Sequence, residues 1–503
     1  MNENVIILPL LTHFIIVAIL LGFWRKVELQ KWVSIGGNIL IVIESIFLLR
    51  LIWRSGTVVL HAGNWEAPFG ISFVADTFSA TLVLLASIAG LAVSMYGASS
   101  LFKPRLKYGF FVVYHFLLLG VKGSFLTGDA FNMYVWFEIM IISSFVLLSL
   151  GAEKKQLEAT MKYFTLNFLA SLIFLTGLGI LYGITGTLNM ADIAERMKAI
   201  DNTSLKEVCA IFFLIGFGTK AGLFPMYFWL PASYHTPPSA VSAIFGGLLT
   251  KVGVYALIRM FSLIFDDLPL MQNIFVGLGC LTIVAGALGA ITQKSTMRVF
   301  GYLLICHIGY MIGGFGLFNK VALTGVIFYL VHDIIVKTNL FMIAGLVYKI
   351  KGSYEYKHLG NLYAQYPRIS LIAALVFFSL AGVPPLSGFW PKVPLLQSAF
   401  AGNGAIYAAC LIAGSLITLL VIARLWSEVF WRKNDVAFKP DIRFISFNEI
   451  GLAKKLGYVA PIAFLLLLSL FVGLGANYIY ILADRIAAEL LNPEIYYIRK
   501  VLK

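Results

Sequence analysis

The chain has 503 residues, of which 60% are hydrophobic and only 12% charged, with a mean hydropathy of +0.89 and a formal charge of +14. A soluble globular protein carries about 25% charged residues, so this composition excludes one and describes a polytopic membrane protein. The basic residues are spread over short loops between apolar runs, which excludes a nucleic-acid-binding stripe and fits the positive-inside rule for cytoplasmic loops.

The start, MNENVIILPLLTHF, has no basic n-region and no small-residue cleavage site, so it reads as a retained first helix. A helix needs about 20 apolar residues to cross the hydrocarbon core. Fourteen such runs follow in order: 4–23, 32–52, 77–98, 108–126, 130–150, 161–184, 207–230, 238–264, 271–292, 297–317, 321–348, 370–400, 405–431 and 456–483. The seventh and twelfth are expected to break. Gly222 and Pro225 interrupt the seventh, and Pro384, Pro385, Gly388, Pro391 and Pro394 cannot share one straight helix in the twelfth.

The loops alternate in charge. One side carries Arg25, Lys26 and Lys31, then Lys103, Arg105 and Lys107, then Lys154 and Lys155. Lys294, Arg298, Lys349, Lys351, Lys357, Arg368, Arg432, Lys433, Lys439, Arg443, Lys454 and Lys455 fall on the same side. That side is assigned to the cytoplasm and both termini to the outside. The tail from Asp484 reads as a short amphipathic interfacial helix.

The expected fold is an all-α polytopic membrane protein of about fourteen spans. Two broken spans five apart suggest two five-helix units, spans 4–8 and 9–13, and an odd number of spans per unit makes the repeat inverted. The domain reading is therefore 1–107 for the first three spans, 108–264 and 265–431 for the two units, and 432–503 for a cytoplasmic loop, the last span and the tail. The local match between the breaks is GLFP at 222–225 against GFWP at 388–391.

Ionisable groups recur at membrane depth. A charge at the bilayer centre is costly, roughly 2.5–3.5 kcal/mol on insertion scales. Glu138 lies within FNMYVWFEIMIISSF, Lys220 within FGTKAGLFPMYFWLP and Lys251 within FGGLLTKVGVYALIRM. His332 and Lys337 share FYLVHDIIVKTNLF, and Lys392 lies in the second broken span. A buried carboxylate holds its proton when alone and releases it beside a lysine, and buried lysines can hand protons on. Histidine titrates nearest neutral pH and suits a relay between them. These six residues form the candidate proton relay. Asp333, four residues before Lys337, is placed to face it. His307 is a weaker candidate because it is more isolated. Static salt bridges are the competing reading, but such pairs rarely gain over apolar packing.

Other charges receive plainer readings. Lys122, Arg259 and Arg50 are expected to snorkel to an interface. Glu44 is expected to meet a partner on a neighbouring helix or another subunit. Asp76 and Asp129 mark span ends. Cys209, Cys280, Cys306 and Cys410 are scattered through apolar runs without metal-ligand or CxxC spacing, so neither a metal site nor a disulfide framework is expected.

Together, a glutamate in span 5, lysines in broken span 7, span 8 and broken span 12, and a His…Lys span 11 resemble the antiporter-like membrane subunits. That family includes the large proton-pumping subunits of respiratory complex I and the A and D subunits of Mrp-type multisubunit Na⁺/H⁺ antiporters. The likeness covers spans 3 to 13 and is most specific in FNMYVWFEIM and in KAGLFPMYFWLPASYHTPPSAVSAIFGGLLTKVGVY. The wording GDAFNMYVWFE and the length are most similar to the D type. One stretch departs: QKSTMRVFGYLLICHIGY has Ser295 where relatives carry an acid and Leu303–Leu304 where they carry a serine pair.

The resemblance implies a secondary transporter subunit, not an enzyme, in a bacterial plasma membrane. It would carry H⁺ with Na⁺ as the exchanged ion, without cofactor or metal, beside subunits of A, B, C, E, F and G type. Glu138 and Lys220 would be its coupled pair, Lys251 the central relay and Lys392 the terminal site. The alternatives are a proton-pumping membrane subunit of a complex I-like or membrane-bound hydrogenase redox complex, and a structural scaffold.

Overall fold

The computed structural model describes residues 3–402, 404–433 and 445–502. Lys439 and Arg443 of the basic loop lie outside them. Eleven helices among the described residues are long and apolar enough to cross a membrane. Two shorter apolar helices, Phe110–Leu126 and Pro367–Ala381, stand where further spans were expected.

A 3₁₀ turn at Glu3–Ile7 leads into α1 (Leu8–Gly22), which is followed by α2 (Val27–Ser55). An antiparallel hairpin, β1 (Val58–His61) with β2 (Ser72–Ala75), then leads into α3 (Thr77–Ser100). Asp76 caps α3 by accepting from the Ser79 backbone, and the Ser79 hydroxyl accepts from the Asp76 backbone in return. The short α4 (Lys103–Lys107) precedes α5 (Phe110–Leu126), α6 (Ala130–Ser149) and α7 (Lys154–Thr185). α8 (Met190–Lys198) leads to the first broken span, α9 (Thr203–Ala221) and α10 (Trp229–Ser233). The next span joins α11 (Ser239–Ile244) to α12 (Thr250–Leu263) through a π-helical turn at Phe245–Leu249.

The second half runs α13 (Pro269–Thr292), α14 (Thr296–Gly316), α15 (Lys320–Lys351) and the short α16 (Leu362–Gln365). Its broken span is α17 (Pro367–Ala381) with α18 (Lys392–Ala401), followed by α19 (Ala405–Trp426). α20 (Leu452–Leu474), α21 (Ala476–Leu491) and α22 (Arg499–Val501) complete the chain.

The centre of the molecule is α15 with α14 and the Ser239–Leu263 span, which are buried almost all round. α2, α7 and α13 each leave a face open, as helices against lipid do. Small residues bring central backbones together. A Cβ on Gly279 of α13 would collide with the Gly313 backbone of α14.

Two expectations need correction here. The last span stops at Leu474, and the amphipathic tail begins at Ala476 rather than at Asp484. Gly475 permits the turn, its backbone N–H donating to Phe471 O. The tail also does more than lie on an interface. Arg485 donates to Trp53 O at 2.8 Å, Thr77 donates to Glu489 at 2.8 Å, and Lys320 pairs with Asp484 at 2.8 Å. Lys198 pairs with Glu494 at 2.7 Å. α21 thus straps together the ends of α2, α3 and α15, and Glu494, just beyond it, adds α8. The hydrogen bonds from Lys198 and Arg499 hold the Glu494 carboxyl below the usual carboxylate range.

Candidate functional site

The two broken spans end their first halves alike. α9 stops at Gly222 (φ +84°, ψ 38°) and α17 at Gly382 (φ +84°, ψ 39°). Each glycine donates to the carbonyls three and four residues back, and the next residue, Leu223 or Val383, donates to Gly218 O or Phe378 O. Only glycine enters this left-handed cap without a Cβ penalty. The structural counterpart of GLFP (222–225) is therefore GVPP (382–385), which corrects the GFWP match. A shared tetrapeptide was misleading because the cap needs only the glycine and the prolines that follow.

Lys220 lies two residues before its break and is 3% exposed. Its Nζ donates to Ser171 of α7 at 2.8 Å and sits 5.0 Å from the Phe137 ring. Glu138, the next residue on α6, is half-buried, and its Oε1 has no hydrogen-bond partner among the described residues. Its charge acts on Lys220, but no contact of ion-pair length joins them. The expected pair is a pair of neighbours, with Ser171 holding the ammonium.

Lys251 follows the π-helical turn, which sets a carbonyl free of its regular partner. Its Nζ donates to Gly246 O at 2.8 Å and pairs with Asp333 Oδ2 of α15 at 2.7 Å, with both side chains wholly buried. α12 also touches the end of α9 directly: a Cβ on Gly253 would lie 2.5 Å from Ala221 N. Lys220 and Lys251 therefore stand on helices in contact.

Asp333 is the hub, and the sequence reading gave it too small a part. Besides Lys251 it meets His307 of α14, Nδ1 to Oδ1 at 3.4 Å. Lys337, wholly buried one turn further along α15, has no hydrogen-bond partner at Nζ among the described residues. The expected Asp333–Lys337 contact is replaced by the one across to α12. The signal that could have found this hub was present: an aspartate in mid-span, exposed to the same cost as Lys251.

His332 points the other way on α15. Its Nδ1 is 2.8 Å from Ser387 Oγ in the second break, and Ser387, Ser379 and Ser469 form a closed hydroxyl triangle of 2.7–3.1 Å edges. Lys392 begins α18, donates to Ala381 O at 3.1 Å and lies 5.7 Å from the Tyr310 ring. Tyr310 stacks on His307 at 5.2 Å. Lys220 thus precedes its break and Lys392 follows its own, so the two half-sites differ.

Two of the three charges read as snorkelling, Arg259 and Lys122, are also buried, while Arg50 is exposed as that reading expects. The Arg259 guanidinium pairs with Asp76 among the rings of Phe78, Tyr255 and Tyr497. Lys122 is 0% exposed and lies 3.0 Å from His13 Nε2. Their correction has one cause. A neighbouring helix supplied a partner before the side chain reached an interface.

A family profile described as NADH:quinone oxidoreductase/Mrp antiporter, TM, matches residues 127–418. The D-type component of a Na⁺/H⁺ antiporter of Alkalihalophilus pseudofirmus is 40% identical over 503 residues, covering 100% of both chains. Among solved structures, a chain of the Mrp complex from Dietzia sp. DQ12-45-1b matches with a TM-score of 0.88 at 26% identity, covering 100% of each chain. A chain of the membrane-bound sulfane sulfur reductase, an archaeal respiratory membrane complex, matches at 0.87 and 25% over 99% of each.

Proposed function

The chain belongs to the NADH:quinone oxidoreductase/Mrp antiporter family of membrane proteins, and on that premise we infer that it is the D-type subunit of a multisubunit Na⁺/H⁺ antiporter. Its partners are the other subunits of that hetero-oligomer. Within the complex this chain moves H⁺ along Glu138, Lys220, Lys251, His332, Lys337 and Lys392, with Asp333 and His307 joining the middle of the row.

One observation carries this reading above all. A wholly buried Asp333 bridges Lys251 and His307, and Lys337 one turn away has no hydrogen-bond partner among the described residues. An acid with cationic candidates on two sides can change partner, and each change alters which base keeps its proton. A scaffold would have no use for so many charges that apolar side chains could replace. The redox-complex reading draws on the fold shared with the sulfane sulfur reductase, but the full-length D-type relative favours the antiporter.

The like-capped breaks at Gly222 and Gly382 support two inverted five-helix units, 108–264 and 265–431, between 1–107 and 432–503. The basic loops support termini on the outside. The test is Na⁺-driven proton flux in vesicles holding the whole complex, with Lys220, Lys251 and Lys392 changed to alanine one at a time. Each change is expected to abolish exchange in an assembled complex. Normal exchange in an assembled Lys220→Ala complex would sink the row as a proton path.

A further inference from the structure

A second buried polar chain lies away from the central row, among α1, α2 and α5. Lys122 Nζ is 3.0 Å from His13 Nε2, His13 Nδ1 is 2.9 Å from His115 Nδ1, and His115 Nε2 is 2.9 Å from Ser34 Oγ. All four side chains are 0% exposed. Glu44, on α2, accepts from Thr12 at 2.7 Å; its other oxygen has no hydrogen-bond partner among the described residues, and its charge acts on Lys122. Tyr114, whose ring meets that of His115, donates to Gly90 O. The whole network lies outside the 127–418 stretch that matches the family profile.

We propose that Lys122, His13, His115 and Ser34 form a second proton-conducting half-path at the flank of the bundle.

The chemistry follows from the atoms that face each other. With Lys122 protonated, it donates to His13 Nε2, His13 Nδ1–H donates to His115 Nδ1, and His115 Nε2–H donates to Ser34 Oγ. With Lys122 neutral, every donor reverses: Ser34 donates to His115, His115 Nδ1–H to His13, and His13 Nε2–H to Lys122. Passing between the two patterns moves one proton along each bond. Lys122 loses one proton, each imidazole exchanges its N–H for the other nitrogen's, and Ser34 keeps a hydroxyl by passing its original proton to a water molecule admitted from the basic end of α2. Of these four groups only Lys122 is charged, and only in the first pattern.

A static network would need only one such pattern, and a buried lysine is a poor choice for it. The placement also fits a path. Ser34 lies about 10 Å from the basic end of α2, and Glu44 about 15 Å further along that helix, so the chain covers about half of the 30 Å hydrocarbon core. Glu44 sits at its inner end, where a carboxylate can balance the lysine's charge.

This proposal rests on the chain being a proton-carrying subunit, and its test keeps the two apart. His13→Gln and His115→Asn keep volume and hydrogen bonding but cannot pass a proton. In vesicles holding the whole complex, each is expected to lower Na⁺-driven proton flux at least threefold while assembly is unchanged; a smaller fall overturns the half-path. Should either histidine variant fail to assemble, Ser34→Ala decides by the same threshold, since it removes a single oxygen. Lys251→Met is measured alongside. Loss there with normal flux in the histidine variants overturns the half-path and leaves the central row standing. Normal flux in Lys251→Met with loss in the histidine variants overturns the central row and leaves the half-path.

Discussion

Asp333 faces both Lys251 and His307 with its side chain wholly buried. Removing one partner of a buried pair costs about 3–5 kcal/mol, since the other charge stays behind. Asp333→Ala is therefore expected to lower the thermal stability of the assembled complex by that order and to abolish exchange. A melting curve that matches the wild type would contradict the role. The sequence revealed Lys251 as a costly charge but not its counter-ion, 82 positions away on another helix. Helical spacing pointed Asp333 at Lys337 instead, yet spacing only permits a contact; tertiary packing chose another. Lys122 was misread for the same reason. Its partner, His13, lies on the first helix, and nothing in either stretch announces the other.

At the scale of the element, the two breaks depend on glycines in a left-handed cap, where an alanine costs roughly 1–2 kcal/mol. Their surroundings differ. A Cβ on Gly382 would lie 2.7 Å from Lys392 Nζ, whereas one on Gly222 meets Leu230 Cδ1 at 3.2 Å. Gly382→Ala is thus expected to move the Lys392 ammonium off Ala381 O and lower exchange further than Gly222→Ala does. Flux measured on both variants at equal assembly checks this, and equal losses would contradict it. Proline and glycine made both breaks legible, because their backbone limits are local. The correspondence between the breaks was not legible, because it resides in matching dihedral angles rather than in matching letters. The π-helical turn before Lys251 was equally silent: FGGLL reads as ordinary helix, and it is the lysine's hydrogen bond to Gly246 that shows the freed carbonyl in use.

Across the whole molecule, hydropathy had announced the helical bundle. It had not announced how the tail straps the ends of α2, α3, α8 and α15, since those contacts join positions 164 to 432 residues apart. Sidedness can be read directly. Lys154→Cys and Lys198→Cys place exposed thiols on opposite sides, and three of the four native cysteines are buried. A membrane-impermeant maleimide added to whole cells is expected to label Lys198→Cys and spare Lys154→Cys; the reverse pattern would invert the topology. The central claim is that the buried Lys251–Asp333 pair carries protons rather than holding the fold. The most direct measurement is Na⁺-driven proton flux in the double variant Lys251→Met/Asp333→Leu, which removes both charges and leaves neither unpaired. The expected result is a complex that assembles and melts like the wild type and exchanges nothing. Exchange at the wild-type rate would contradict the account.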